Sequence, residues 1–220
     1  MPKLIQSKPL FGIPFYVWKI DPKEYDKEKI LKTIKENYKL DPNRNKWSKT
    51  SNLHHANKDF ANKDFKQINY TKVGRLYGEI IKNFFSQLDF VKPIDYTWQI
   101  VNYTAQKKNQ FMNEHDHLPD ASFSGVHFLK INKSNSPLKF TNPAPIADYA
   151  RFIIPDYYVF NRDNLNHSYL NSKQAFLPEE DIVCIFPSSL KHEVPIQKSN
   201  DLRVTIAFNI TIKDKNENKK

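Results

Sequence analysis

The sequence predicts an α+β fold that is mainly β, a sandwich or jelly roll buttressed by two N-terminal helices, and three observations carry that prediction. Apolar residues recur at helical spacing in two stretches before residue 90. After Pro93 the period shortens to that of strands. The 220 residues, 39% apolar, 14% aromatic and 26% charged, suit one folded unit better than two or a disordered chain.

Taken in order, the stretch 11–18 reads as a buried first strand. The apolar stretch 10–20 around it is too short, and too interrupted by Pro14 and Lys19, for a membrane span or signal peptide. Tyr25, Ile30, Leu31, Ile34 and Tyr38 line one face of a helix over 24–38. A second helix is marked by Val73, Leu76, Tyr77, Ile80, Ile81, Phe84, Phe85 and Leu88. Between them Ala-Asn-Lys-Asp-Phe occurs at 56–60 and again at 61–65, a duplication too short for a solenoid unit and expected at the surface. Runs rich in β-branched and aromatic residues predict strands over 96–103, 122–131, 138–141, 151–160, 182–186 and 202–212, separated by Asn, Asp, Pro and Ser turns. The expected organisation is a single domain over 1–220, with strand and buttressing helices in 10–92, the jelly-roll core in 93–212 and a disordered tail at 213–220.

Composition removes several function classes. Only four glycines are present, Gly12, Gly74, Gly78 and Gly125, so neither a dinucleotide-binding nor a P-loop glycine pattern can be spelled. The single Cys184 excludes an internal disulfide and a C-x-x-C site, and reads as inert core packing. With no predicted span, a cytoplasmic location without membrane contact is expected. The net charge is +10, and all the excess is N-terminal: residues 1–110 hold 21 Lys/Arg against 11 Asp/Glu, and residues 111–220 hold 13 of each. These lysines are scattered among Asp and Asn rather than clustered with stacking aromatics, so a solvated surface is preferred to a nucleic-acid footprint.

Three of the seven histidines sit where chemistry can use them. In an extended Glu114-His115-Asp116-His117, residues two apart share a face, so His115 and His117 can reach one point while Asp116 points away. That pair is a metal clamp lacking a third ligand. His192, 75 residues on and just after an apolar strand, can supply it if that strand returns antiparallel. Arg203, eleven residues further, lies in an apolar strand with Thr205 on the same face. A buried guanidinium needs an anion, and its planar fork suits a carboxylate, either internal or from a ligand.

Trp98-Gln99-Ile100-Val101-Asn102, the segment 111–117, Ser124-Gly125-Val126-His127-Phe128-Leu129, Phe186-Pro187-Ser188-Ser189-Leu190-Lys191-His192 and Arg203-Val204-Thr205-Ile206-Ala207-Phe208-Asn209 resemble, in order and spacing, a group of 2-oxoglutarate and iron(II)-dependent oxygenases. Leu10-Phe11-Gly12-Ile13-Pro14 is similar to that group's N-terminal strand, and the resemblance spans 10–210. It implies a double-stranded β-helix of cupin-like type, with Fe(II) held by His115, His117 and His192. Arg203 would grip the distal carboxylate of 2-oxoglutarate, with Thr205 adding a hydroxyl. The superfamily's usual triad is two His and one carboxylate. Here His117 stands where Asp or Glu is expected, a trait this group often shares; Asp116 is the other candidate if the segment bulges. The implied chemistry is hydroxylation of an unidentified small-molecule or peptidyl substrate by O2 through a ferryl species, with release of succinate and CO2. No catalytic side chain is implied beyond the metal site.

Other residues read more plainly. His127 on an apolar strand is expected in the core, as are Trp98, Phe128 and Phe186, whereas His54, His55 and His167 are expected at the surface. Asn102 is either a hydrogen-bonding partner of the cosubstrate or a backbone cap. The segments 141–150 and 157–174 are candidate lids. Two readings compete with the oxygenase: a three-histidine cupin-type dioxygenase that uses no 2-oxoglutarate, and a non-enzymatic basic β-sandwich that binds nucleic acid or an acidic partner, nucleic acid not being favoured.

Overall fold

The structure, a computed structural model, describes residues 2–10, 13–45, 48–56, 64–88, 90, 94–143 and 172–213. The expected strand at 151–160, His167, most of both candidate lids, the tandem copy over 57–63 and the tail beyond 213 lie outside these residues.

The described strands form two antiparallel sheets. The larger has seven strands: β1 (Lys3–Leu10), β2 (Ile13–Lys19), β3 (His54–Ala56), β4 (Tyr96–Gln106), β6 (Phe123–Lys130), β9 (Ile182–Pro187) and β11 (Arg203–Ile212), in the order β1-β2-β9-β6-β11-β4-β3. The smaller has four: β5 (Met112–His115), β7 (Leu138–Thr141), β8 (Lys173–Phe176) and β10 (His192–Val194), in the order β5-β10-β7-β8. From β4 onward the chain passes back and forth between the sheets, so that β4, β6, β9 and β11 lie in one and β5, β7, β8 and β10 in the other. This is a jelly roll, mainly β, with two α-helices among the described residues, α1 (Lys27–Leu40) and α2 (Thr71–Gln87).

Period-two alternation divides the core into two parts. Val183, Ile185, Val204, Ile206, Phe208 and Ile210 point to one side of the large sheet and pack against Ile30, Ile34, Leu76, Tyr77, Ile80 and Phe84 of the helices. Phe128, Ile182, Cys184 and Phe186 point to the other side and meet Leu138, Phe140 and Val194 of the small sheet. The helices therefore close one face of the large sheet and the small sheet closes the other. Their close fit is plainest at Gly125, which pairs with Phe208 across strands. A Cβ there would sit 2.1 Å from the Phe208 ring, so only glycine lets that ring lie flat on its neighbour and stack on Tyr77.

Besides β5, which overlaps the extended reading of 114–117, sequence periodicity misses four strands, each for a local reason. β1 is rich in Lys, Ser and Gln, yet it pairs along β2 as a hairpin, so the strand expected over 11–18 is the second one, Ile13–Lys19. β3 and β10 are three residues each, too short to show a period, and β8 is a four-residue edge strand. The surface placement of His54 and His55 is corrected: β3 pairs with β4 and both rings are buried. Alternation sends His54 toward the helices, where it meets Tyr38, Phe65 and Tyr103, and sends His55 into the space between the sheets.

Candidate metal centre

β5 and β10 are antiparallel neighbours, and their register sets His115 directly opposite His192. The same register turns Glu114 and Glu193 to the outer face of the small sheet, where Lys173 of β8 bridges them at 3.2 and 2.8 Å and Thr141 donates to Glu114. His117 lies two residues past the end of β5, held by its backbone N–H to the Ser188 carbonyl. Ser188 belongs to the turn that joins β9 to β10, so a single turn supports two of the three rings. The three ring centroids are 4.3, 5.2 and 5.2 Å apart, and one nitrogen of each lies within 4.8 Å of the other two. Asp116 is not part of this group; its Oδ1 accepts from the Leu118 N–H.

The rings are prepared as ligands. His115 Nδ1 and His192 Nδ1 face the carbonyls of Asn113 and Leu190 at 2.8 and 2.9 Å. A carbonyl only accepts, so Nδ1 carries the proton and Nε2 keeps its lone pair. His117 Nε2 is buried without a hydrogen-bond partner. Burial lowers the pKa of all three, helped by their mutual proximity at His117 and His192, and brings His117 to about 4. The adjacent Asn209 amide pulls His117 partway back, although no bond of normal geometry joins them. All three imidazoles are thus neutral at pH 7, the state a metal requires, and the donor set fits a divalent transition ion such as Fe(II).

The triad lines a cavity of about 300 Å3 between the sheets. Its other end is built by β4 and β11. Arg203 pairs across strands with Gln106, and Thr205 with Thr104. Arg203 is 1% exposed and lies over the Phe128 ring at 5.6 Å. Its one hydrogen bond among the described residues is from Nη1 to Gln106 Oε1, 3.0 Å, and its Nε has no partner. Burial draws its pKa down to about 10, so it is still a cation at neutral pH. The hydroxyls of Thr104 and Thr205 are 2.7 Å apart, and such a pair consumes one of its two O–H donors and leaves the other. Among the described residues no carboxylate pairs with Arg203. Asn102 lines the same cavity.

Sequence reasoning missed His55, Thr104, Ser124 and Asn209, which also line it. Their signal is weak, since each is a polar residue at an alternate position of a strand whose register only the fold fixes.

Residues 98–209 match the profile of a protein family described as "Putative 2OG-Fe(II) oxygenase", and this stretch contains the triad, Arg203 and Thr205. The chain belongs to this family of 2OG-Fe(II) oxygenases. It is an oxidoreductase whose cofactors are Fe(II) and 2-oxoglutarate. Two solved structures agree on the fold. A prolyl-4-hydroxylase from Pseudomonas putida superposes with a TM-score of 0.52 at 10% identity, over 95% of this oxygenase and 92% of that chain. A prolyl hydroxylase from Trichoplax adhaerens, in complex with a hypoxia inducible factor peptide fragment, gives 0.51 at 10% identity over 90% and 83%. A 2OG-Fe(II) oxygenase family oxidoreductase from Burkholderia pseudomallei gives 0.45 at 16% identity over 66%, and the oxygenase spans 61% of its length. No curated protein matches the sequence. No helix among the described residues is long and apolar enough to cross a membrane.

Proposed function

We propose that this oxygenase is a hydroxylase in which His115, His117 and His192 hold Fe(II), and Arg203 with Thr205 binds the distal carboxylate of 2-oxoglutarate. The eight strands β4–β11 would be a double-stranded β-helix, which the alternation of the chain between sheets supports, and the chain would act as a single domain. The observation that carries the reading is one cavity with three neutral imidazoles along one wall and, on another, a buried guanidinium that no described carboxylate pairs.

When bound, iron and 2-oxoglutarate supply the oxidative chemistry: O2 is consumed, the keto acid becomes succinate and CO2, and a substrate C–H becomes C–OH. The residues of the chain bind and orient. The carbonyls of Asn113 and Leu190 fix two ring tautomers. Arg203 supplies a fixed positive charge in a water-poor pocket, where a carboxylate gains most from it. The free hydroxyl donor of the Thr104–Thr205 pair lies on the same strand face, and Asn102 offers an amide to the cosubstrate. The substrate, a small molecule or a peptidyl side chain, enters beside His117, where Asp116 and Asp120 line the cavity.

Anaerobic titration of the iron-loaded protein with 2-oxoglutarate tests this. A visible charge-transfer band that saturates at one keto acid per iron is expected, and succinate should form once O2 is admitted with substrate. Iron-loaded protein that gives no band, or turnover independent of the keto acid, would point instead to a three-histidine dioxygenase.

A further inference from the structure

Arg203 is bound by a neutral partner where a buried guanidinium ordinarily finds a carboxylate. Gln106 is fully buried, stands directly across from Arg203 on the neighbouring strand, and accepts from Nη1 at 3.0 Å. Its own Nε2 has no partner, nor has Arg203 Nε. The pair therefore carries spare donors, and among the described residues no acceptor or negative charge answers them. Uncompensated burial of a cation is costly, and unmatched buried donors add to that cost. Arg203 lines the cavity, so a ligand carboxylate at this end would answer the charge of the guanidinium.

Resting on the reading of Arg203 as the cosubstrate anchor, we propose that Gln106 is a positioning residue: it aims the guanidinium while leaving its charge unneutralised, so that the site discriminates for keto acids with a second carboxylate. Glutamate is the revealing alternative. It is nearly the same shape and would hold Nη1 equally well, but it would complete an internal ion pair that the cosubstrate must then break. Methionine keeps the volume and removes the acceptor without adding charge.

The test is equilibrium binding to the iron-loaded protein, measured anaerobically by calorimetry. Two keto acids are compared, 2-oxoglutarate and 2-oxobutyrate, the latter lacking the distal carboxylate. Wild type is expected to prefer the diacid. In Gln106→Glu the affinity for 2-oxoglutarate is expected to fall roughly 100-fold, the scale of disrupting a buried charge pair, with 2-oxobutyrate and iron content unchanged. In Gln106→Met a smaller loss of about 10-fold is expected, again for the diacid alone, from one missing hydrogen bond to a charged group. The proposal is overturned if Gln106→Glu binds 2-oxoglutarate as wild type does, if both keto acids weaken equally, or if methionine costs as much as glutamate. Should the glutamate variant fail to fold, methionine decides alone: diacid-specific loss supports the role, and no loss or equal loss removes it. Wild type that takes up iron but binds neither keto acid defeats the assignment of the site itself, a result distinct from all of these.

Discussion

Buried histidines occur on both faces of the large sheet, and their surroundings differ. On the helix side, His127 is fully buried; its Nδ1 is 2.6 Å from the Tyr77 hydroxyl and its Nε2 faces Tyr25, which donates to Asp181, itself paired with Lys27. His54 is equally closed, with Nδ1 on the Asp41 carbonyl and Nε2 on the Tyr103 hydroxyl. Between the sheets, His117 Nε2, Arg203 Nε, Gln106 Nε2 and Asn209 Oδ1 are buried and unmatched. Burial lowers the pKa of the rings on both sides, to about 3 at His127 and about 4 at His117, and so does not distinguish core from site. Unmatched polar atoms are more telling: His117, Arg203 and Asn209, which line the cavity, each carry one, and so does Gln106 beside Arg203, although Arg44 Nε and Gln197 Nε2 are unmatched away from it.

The largest effect expected from this contrast is on iron. His192→Ala should abolish binding, whereas His127→Phe should keep one iron per chain and lose about 1–3 kcal/mol of stability, since the Tyr77 hydroxyl is left without its partner. Metal analysis of both variants, beside their melting curves, checks the contrast; it breaks if His127→Phe loses iron or His192→Ala retains it. Next comes Arg203→Leu, for which iron should remain while the Kd for 2-oxoglutarate rises roughly 100-fold. Gly125→Ala should cost about 1–3 kcal/mol in chemical denaturation, because the new methyl meets the Phe208 ring.

The smallest effect is in pH. A histidine in the unfolded chain titrates near 6.5, whereas folded His127 stays neutral down to about 3. Between those values the unfolded state binds the proton and the folded state does not, so stability falls as pH drops, by up to about 1.4 kcal/mol per unit for each such ring. His127→Phe should make that slope shallower in iron-free protein. Iron should make it steeper, since protons compete with the metal for the site rings. Equal slopes in all three samples would remove the distinction.

How much of this was legible beforehand depended on length scale. Long periodic stretches read directly: both helices fall where their apolar stripes lie, and Tyr96–Gln106 and Arg203–Ile212 cover the strands expected over 96–103 and 202–212. The spacing of His115, His117 and His192 placed three rings within reach of one another because strand alternation and antiparallel return are general. His55 and Gln106 were invisible for the opposite reason. Their meaning comes from β4 lying between β3 and β11, a pairing that no local pattern encodes. The adjacent His54 and His55 looked like a polar pair in a loop, and only a three-residue edge strand separates them onto opposite faces.

The most direct test of the metal centre is iron stoichiometry in three single variants, His115→Ala, His117→Ala and His192→Ala, each confirmed as folded by circular dichroism. One iron per wild-type chain, with loss in every variant, is the expected result. Full retention of iron in His117→Ala would contradict the three-imidazole site and return Asp116 to the ligand set.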